Sequence, residues 1–315
     1  MSTLSRRLRR GLKRASDAVI GAIAVGAIQL LRRVDPDRLA DFAGWVLRHI
    51  GPLLREHRIA RENLQAAFPE KSAAEIDKIL SGSWDNLGRM GAEFAHLDRL
   101  WDFDPLHPGK PSRFDVPQIA IDRFTRLAED GKPALVFAAH LANWEVPAVS
   151  AASQDIQNAV LYRRPNIARL DKWITETRTA HMGELIATSL DAPVKIADAL
   201  KRGAHVGMLV DQYYVRGVPV TFFGRRTRAN PLLARLAQHF DCPIHGVRII
   251  RQPGGRFTGE ITDEIKPVRG DDGKVDVAGT MQVITTIIEG WIREHPEQWL
   301  WQHRRWRPED EAAAG

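Results

Sequence analysis

The segment ALVFAAHLANWE (Ala134–Glu145) is the strongest indication of the fold, because it joins an apolar run to a histidine and a carboxylate. Residues 134–139 are apolar and β-prone, which predicts a short buried strand that ends at His140. Asn143 has the side chain of a helix N-cap, so a helix is expected to follow it. Such a strand-to-helix corner brings His140 near Glu145, whereas five residues along one helix would set them ~140° apart. The carboxyl end of a strand is also where open α/β sheets bind ligands.

His140 and Glu145 are the first candidate catalytic residues. Imidazole is the side chain best suited to take a proton near neutral pH, and an adjacent carboxylate holds it in one tautomer and stabilises its charged form. In this interpretation His140 is a general base and Glu145 orients it. The alternative from these two residues alone is a core histidine whose hydrogen bonds are satisfied by a carboxylate at a helix terminus.

Outside this segment strands alternate with helices, which predicts an α/β fold with a mixed, largely parallel sheet flanked by helices. Strands are expected at 159–162, 206–210, 244–250 and 257–265, and helices at 117–129, 167–181, 194–201, 230–239 and 278–294. The pattern from Asp37 to Arg99 is helical, so a helical layer at 35–100 should precede an α/β body at 116–308. Residues 35–308 are expected to form a single domain.

The composition is that of a globular protein rather than a polytopic membrane protein, since 44% of the 315 residues are hydrophobic and 27% are charged. Cys242 is the single cysteine, so no intramolecular disulfide is possible, and no Cys/His spacing indicates a zinc site. The chain lacks the motifs of zinc peptidases, elbow-type serine hydrolases and common nucleotide-binding enzymes. We therefore expect neither a metal ion nor an organic cofactor.

The positive charge is concentrated at the N-terminus. Residues 1–14 carry six of the 45 basic side chains and no acid, which leaves 39 basic residues to balance the 39 acidic ones. A local basic patch of this kind does not indicate nucleic-acid binding by the body of the protein. The apolar segment 18–31 follows, and as a helix it would be ~21 Å long against a hydrocarbon core of ~30 Å.

Three interpretations of this N-terminus stay open. Residues 1–34 are expected to form a basic flank and a membrane-anchor helix, with the flank in the cytoplasm. A cleaved signal peptide also has a basic flank and a short apolar stretch. An ordinary soluble helix is the third interpretation. At the other end of the chain, the Ala-rich residues 309–315 are expected to be disordered.

Four motifs resemble those of one enzyme family. The spacing His140-x4-Glu145 is similar to the His-x4-Asp/Glu motif of the glycerolipid-type acyltransferases. Three further motifs, in the same order along the chain, resemble those of the lipid A biosynthesis late acyltransferases of the lauroyl and myristoyl type. They are Tyr162-Arg163-Arg164-Pro165-Asn166 followed by Arg178, Asp211-Gln212 followed by Val218–Gly224, and Pro296–Trp306. The resemblance extends from about Arg58 to Arg307.

This resemblance implies an acyltransferase that moves a fatty acyl chain from acyl carrier protein to a hydroxyl of a lipid A precursor and forms an acyloxyacyl ester. It also implies a place at the cytoplasmic face of the bacterial inner membrane, with a glycolipid acceptor and the membrane surface as partners. Transfer to another glycolipid, such as a phosphatidylinositol mannoside, or to a lysophospholipid is an alternative. A membrane-bound thioesterase or hydrolase, and a non-enzymatic protein that binds anionic lipids, are alternatives of another class.

The pattern and the resemblance together indicate further site residues. On a helical wheel Arg178 falls on the apolar stripe of its helix, so it needs a carboxylate or a ligand anion as partner. Asp211 ends a buried strand, as His140 does, which places both at one edge of the sheet. The resemblance implies catalytic roles for Arg178 and Asp211 beside His140 and Glu145. The residues expected to bind substrate are Asn143, Arg163, Arg164, Gln212, Arg225 and Arg228.

Overall fold

The structure is a computed structural model that describes residues 19–164, 168–307 and 310. Its first helix, α1, comprises residues 19–31. The helices that follow are α2 (Pro36–Ile50), α3 (Arg55–Ala67), α4 (Ala73–Phe94), α5 (Leu97–Leu100), α6 (Gln118–Glu129), α7 (Val146–Ser153), α8 (Ala168–Met182), α9 (Ala192–Lys201), α10 (Leu232–His239) and α11 (Val277–Glu294).

The strands of the main sheet lie in the order β1-β9-β8-β2-β5-β3-β4. Their bounds are β1 (Phe114–Asp115), β2 (Leu135–Ala138), β3 (Asn158–Tyr162), β4 (Glu184–Ala187), β5 (His205–Leu209), β8 (Ile244–Gln252) and β9 (Arg256–Ile261). Neighbouring strands run parallel except β8 and β9. The expected α/β fold with a mixed, largely parallel sheet is therefore confirmed.

β8 and β9 run antiparallel because a single 3-10 turn, Pro253–Gly255, joins them, and a connection this short permits only a hairpin. Gly254 and Gly255 have φ values of 72° and 70°, a conformation that tight turns require of glycine. The predicted strand 257–265 was too long, since β9 ends at Ile261.

A second, two-stranded sheet was not expected from the sequence. It is the antiparallel hairpin of β6 (Val218–Phe222) and β7 (Arg225–Ala229). Because three of the five residues of β7 are arginines, a prediction based on apolar runs does not identify it as a strand. The edge strand β4 (Glu184–Ala187) was not predicted either.

The side chains of β2 point alternately into the main core and into a cavity on the other face of the sheet. Leu135 and Phe137 are buried in the main core, which also contains side chains of α10 and α11. Val136 and Ala138 alternate with them and line a cavity beneath α6 and α7. A central parallel strand is covered on both faces, which explains why its sequence is apolar throughout.

The predicted helical N-terminal layer is present as α2, α3 and α4. Helix α4 begins with a capping box, in which Ser72 and Glu75 satisfy each other's backbone N–H groups. Its middle crosses α2 closely, since a Cβ at Gly88 would overlap the carbonyl oxygen of Ala43. On another face Ser83 Oγ–H donates to the carbonyl of Trp299 (2.9 Å). The layer is thereby attached to residues 296–306, which we call the C-terminal segment.

Within residues 19–164 and 168–307, no helix has the length and apolar character needed to cross a bilayer. The membrane-anchor helix expected at the N-terminus has no support from this structure. Residues 1–18 of that prediction lie outside the described residues, and so does the tail expected to be disordered, apart from Asp310.

The crossing of α2 and α4 gives a prediction with a matched control. Gly88→Ala should lower the free energy of unfolding by about 1–3 kcal/mol, because the new methyl meets backbone that cannot move aside cheaply. Gly91→Ala, three residues further along α4, adds a methyl in open space and should raise it by up to ~1 kcal/mol. Urea unfolding followed by circular dichroism measures both. Equal effects of the two substitutions would contradict the close crossing.

Candidate active site

The loop after β2 holds His140 through backbone hydrogen bonds to the C-terminal segment. Leu300 N–H donates to the carbonyl of His140 (3.1 Å), and Ala142 N–H donates to the carbonyl of Gln298 (2.9 Å). Ala142 has a φ of 46°, a strained conformation for a residue with a side chain. Strain of this kind persists only where the surrounding structure over-determines the backbone. The C-terminal segment therefore shapes the corner that carries the histidine.

Asp211 is the partner of the His140 imidazole. His140 Nδ1 lies 2.8 Å from Asp211 Oδ1, and the backbone N–H of His140 donates to Asp211 Oδ2 (2.9 Å). Trp299 Nε1–H donates to the same oxygen (2.7 Å). These three contacts satisfy a carboxylate that is only 4% exposed. The register of the parallel strands explains the meeting, since Ala138 pairs with Leu209 and each strand then ends two residues before its functional side chain.

The charge state of Asp211 determines the tautomer of His140. Burial alone would raise the pKa of Asp211, but its charge interaction with His140 and the hydrogen bonds from His140 and Trp299 outweigh burial and lower the pKa to about 2. An ionised carboxylate only accepts hydrogen bonds, so Nδ1 carries the proton and Nε2 is the basic nitrogen. Gln212 Nε2–H lies 3.3 Å from that nitrogen and donates to it. This is the arrangement of a general base held by a carboxylate.

The structure pairs Glu145 with Arg178 and not with His140, so it gives no support to the prediction that Glu145 orients the imidazole. Both of its oxygens accept from Arg178, with Nε at 3.0 Å and the terminal nitrogen at 2.5 Å. Glu145 immediately precedes α7, and α8 packs against that helix. This packing brings the guanidinium of Arg178 to the carboxylate of Glu145. Arg178 also stacks over Phe94 and Tyr162, with 5.3 Å and 5.9 Å to the ring centroids. Of the two partners expected for Arg178, the structure has the carboxylate.

Asn143 is buried behind the corner. Its Oδ1 accepts from the backbone N–H of Glu145 (3.1 Å). The prediction that Asn143 is the N-cap is wrong by two residues, since the N-cap of α7 is Glu145. Its Nδ2–H donates to Glu93 Oε2 (2.8 Å), and Arg251 pairs with the same carboxylate. With 1% of its surface exposed, Asn143 acts on the loop rather than on a substrate.

A cavity of about 630 Å³ opens beside His140. It lies between one face of the sheet and helices α6 and α7, and its walls are mostly apolar. Leu127 and His205 line its far part, where His205 Nε2–H donates to the carbonyl of Leu127 (3.1 Å). The polar residues that line it near the carboxyl end of the sheet include His140, Glu145, Arg163, Arg178 and Gln212. A deep apolar cavity with a polar mouth suits an amphipathic ligand.

The predicted basic residues fall into two groups. Arg163 lines the cavity, and Arg164 is exposed beside it at the end of β3. Arg225 and Arg228 lie on the hairpin β6–β7 instead. Arg225 stacks over Trp306 (5.2 Å to the centroid), and Arg228 Nε–H donates to Asp310 Oδ1 (2.5 Å). The structure brings the first group to the cavity and places the second group outside its walls.

Sequence reasoning missed the residues that hold the site from a distance. Trp299 belongs to the motif Pro296–Trp306, but its hydrogen bond to Asp211, across 88 positions of sequence, was not predicted. Arg251, on β8, was not singled out, yet its Nε–H donates to Asn86 Oδ1 (2.9 Å) and its side chain pairs with Glu93. His303 accepts from the backbone N–H of Tyr213 (3.1 Å), two residues after Asp211.

The structure thus pairs a histidine with a carboxylate at the mouth of an apolar cavity, on an open α/β sheet. The family of bacterial lipid A biosynthesis acyltransferases matches residues 6–308 of the chain. The chain belongs to that family and is an acyltransferase of lipid A biosynthesis.

Curated relatives agree with this assignment. The chain is 27% identical, over 262 residues, to the lipid A biosynthesis palmitoleoyltransferase of Escherichia coli strain K12. The lipid A biosynthesis acyltransferase of Shigella flexneri gives the same identity over the same length. Each alignment covers 81% of this chain and 80% of the relative.

His303 gives a testable pH dependence of stability. Burial lowers its pKa from 6.5 to about 4. Between these two pH values the unfolded chain binds a proton that the folded protein does not, so the free energy of unfolding falls as the pH falls. The slope for one proton is at most ~1.4 kcal/mol per pH unit. Urea unfolding of His303→Gln from about pH 7 to pH 4 should show a shallower fall than the wild-type protein, because this proton is gone.

The exposed histidine of α10 provides the control for losing an imidazole as such, through His239→Gln. Wild-type and His303→Gln curves that run parallel over the whole window would show that the folded protein protonates His303 as readily as the unfolded chain does.

Proposed function

We propose that this enzyme transfers a fatty acyl chain from acyl carrier protein to a free hydroxyl of a lipid A precursor, with His140 as the general base and Asp211 as the residue that orients it. The observation that carries the proposal is the His140–Asp211 pair at the mouth of the apolar cavity. Family membership supplies the lipid A acceptor class. Acyl carrier protein is the donor that the sequence resemblance implies.

The reaction follows from the tautomer of His140. Nε2 takes the proton of the acceptor hydroxyl, and the hydroxyl oxygen attacks the thioester carbonyl carbon. The carbon–sulfur bond then breaks, and the departing thiolate receives the proton from the imidazolium. Asp211 stabilises that imidazolium, because it is ionised and in direct contact with Nδ1. The attack is direct and needs no acyl-enzyme intermediate.

Glu145 and Arg178 act as positioning residues in this proposal. Their ion pair has side chains that are 6% and 18% exposed, and it ties the start of α7 to α8 across the cavity mouth. A bidentate arginine–carboxylate pair also fixes orientation, which a single contact does not. The backbone N–H of Glu145 is in turn bonded to Asn143. The His-x4-Glu spacing thus serves to build the corner on which the base stands.

In this proposal the apolar and the phosphorylated parts of the substrates bind at different places in the site. The acyl chain of the donor lies in the apolar cavity, with its thioester beside His140 Nε2. Arg163 and Arg164 lie at the exposed end of β3, where cations suit the phosphates of a phosphorylated glucosamine disaccharide. Gln212, whose amide already contacts Nε2, is placed to contact the reacting groups.

Mass spectrometry of a reconstituted reaction tests this function. The full-length enzyme is incubated with acyl carrier proteins carrying chains of different length and with a Kdo-bearing tetra-acyl lipid A precursor. We expect a product heavier by one acyl chain. His140→Ala and Asp211→Asn should each lower kcat by roughly 10²- to 10⁴-fold, because one removes the base and the other its ionised partner. His239→Ala, on the exposed surface of α10, is the matched histidine control.

A comparison of two carboxylates tests the assignment of roles. Asp211→Asn should lower kcat by at least about tenfold more than Glu145→Gln does, because only Asp211 contacts the imidazole. A larger loss in Glu145→Gln would return the orienting role to Glu145. Release of free fatty acid without an acylated lipid, with both substrates intact, would favour a hydrolase and would sink the proposed transfer.

A further inference from the structure

Gly207 is an unexpected residue in the middle of a central strand. β5 lies between β2 and β3. Glycine weakens a strand in such a position, because it loses more backbone entropy on folding than other residues do and has no side chain to pack. A Cβ at Gly207 would meet nothing closer than the carbonyl oxygen of Ala159, at 4.0 Å. Close packing therefore does not demand glycine here. The free space belongs to the cavity, which Gly207 lines.

Strand register gives the depth of Gly207 in the cavity. It pairs with Val136 of β2 on one side and with Val160 of β3 on the other. Val136 lies four residues before His140, so Gly207 is ~13 Å below the level of the base at ~3.3 Å per residue. The cavity also reaches His205, two residues deeper and ~7 Å further along the strand.

These depths convert into acyl chain length. An extended backbone advances ~3.3 Å over three bonds, or ~1.1 Å per bond, and an extended alkyl chain has a similar zigzag. About 12 bonds therefore reach from a thioester beside His140 to the level of Gly207, and roughly 18 reach His205. A side chain at position 207 would project into the path between these two levels.

We propose that Gly207 determines which acyl chains this enzyme accepts, by leaving open the passage that chains longer than about 12 carbons must take. The inference rests on the proposed function, because it assigns the cavity to the acyl chain of the donor. Val136 and Val160 bound this level from the neighbouring strands, so the missing side chain of Gly207 is what keeps it open.

A graded series at one position provides the test. Wild-type enzyme, Gly207→Ala and Gly207→Val are assayed with acyl carrier proteins that carry chains of roughly 10 to 18 carbons, lengths that bracket the level of Gly207. In Gly207→Val, kcat/KM for chains longer than about 14 carbons should fall by roughly 10- to 100-fold, and Gly207→Ala should lie between that and wild type. Transfer of the shortest chain should stay within about threefold of wild type, since such a chain ends above the new side chain.

Two measurements separate this effect from damage to the fold. Valine favours strands and enters open space, so the melting temperature of Gly207→Val should equal or exceed that of wild type. Combining Gly207→Val with Val160→Ala removes two methyl groups from the partner in register, and should restore part of the long-chain transfer. If Gly207→Val lowered long-chain transfer by misfolding, adding Val160→Ala, which removes further packing, would not restore that transfer.

The outcomes distinguish the inference from the function beneath it. If wild type transfers chains but Gly207→Val has the same chain-length profile, the role of Gly207 is refuted and the proposed function stands. If wild type transfers no chain from any donor to the lipid A precursor, the proposed function fails and the inference fails with it. A uniform loss over all chain lengths, without rescue, also overturns the inference.

Discussion

The candidate site depends on the hydrogen bonds made by the buried, ionised carboxylate of Asp211. A charge removed from water is costly unless donors replace its hydration, and three do so here, from the imidazole, from the backbone of His140 and from the indole of Trp299. Two of the donors belong to His140 after β2 and the third to Trp299 of the C-terminal segment, so the carboxylate fixes the relative positions of these two parts of the fold. The contact between Asp211 and Nδ1 also determines which imidazole nitrogen is basic. One set of hydrogen bonds therefore both stabilises the buried carboxylate and fixes the tautomer of His140.

Two further ion pairs support the corner that carries His140. Glu145 with Arg178 links the start of α7 to α8, and Glu93 with Arg251 links α4 to β8. Asn143 connects the two pairs, since its amide bonds the Glu145 backbone on one side and the Glu93 carboxylate on the other. Polar groups buried in this way stabilise only as a complete set, because any one left alone retains its desolvation cost.

The sequence predicts the parts of this molecule that depend on local pattern. The apolar runs that end at His140 and before Asp211 are strands. The need of Arg178 for an anionic partner follows from its place on an apolar stripe, and the structure shows that this partner is the carboxylate of Glu145. Which carboxylate orients the histidine depends on strand register, and spacing within one chain segment carries no information about register. The same limit hides the contact of Trp299 with Asp211, and the hairpin β6–β7 is hidden by its arginines.

The dependence of the corner on residues 298–300 has a consequence for how the His140–Asp211 pair assembles. The strands set both residues at one edge of the sheet, but the indole that donates to Asp211 and the carbonyl that bonds Ala142 come from the C-terminal segment. Formation of the sheet alone therefore leaves the buried carboxylate without one of its donors and the corner without its backbone support. The geometry of the pair depends on contacts that are distant in sequence, and such contacts are slow to form because closing a long loop costs entropy.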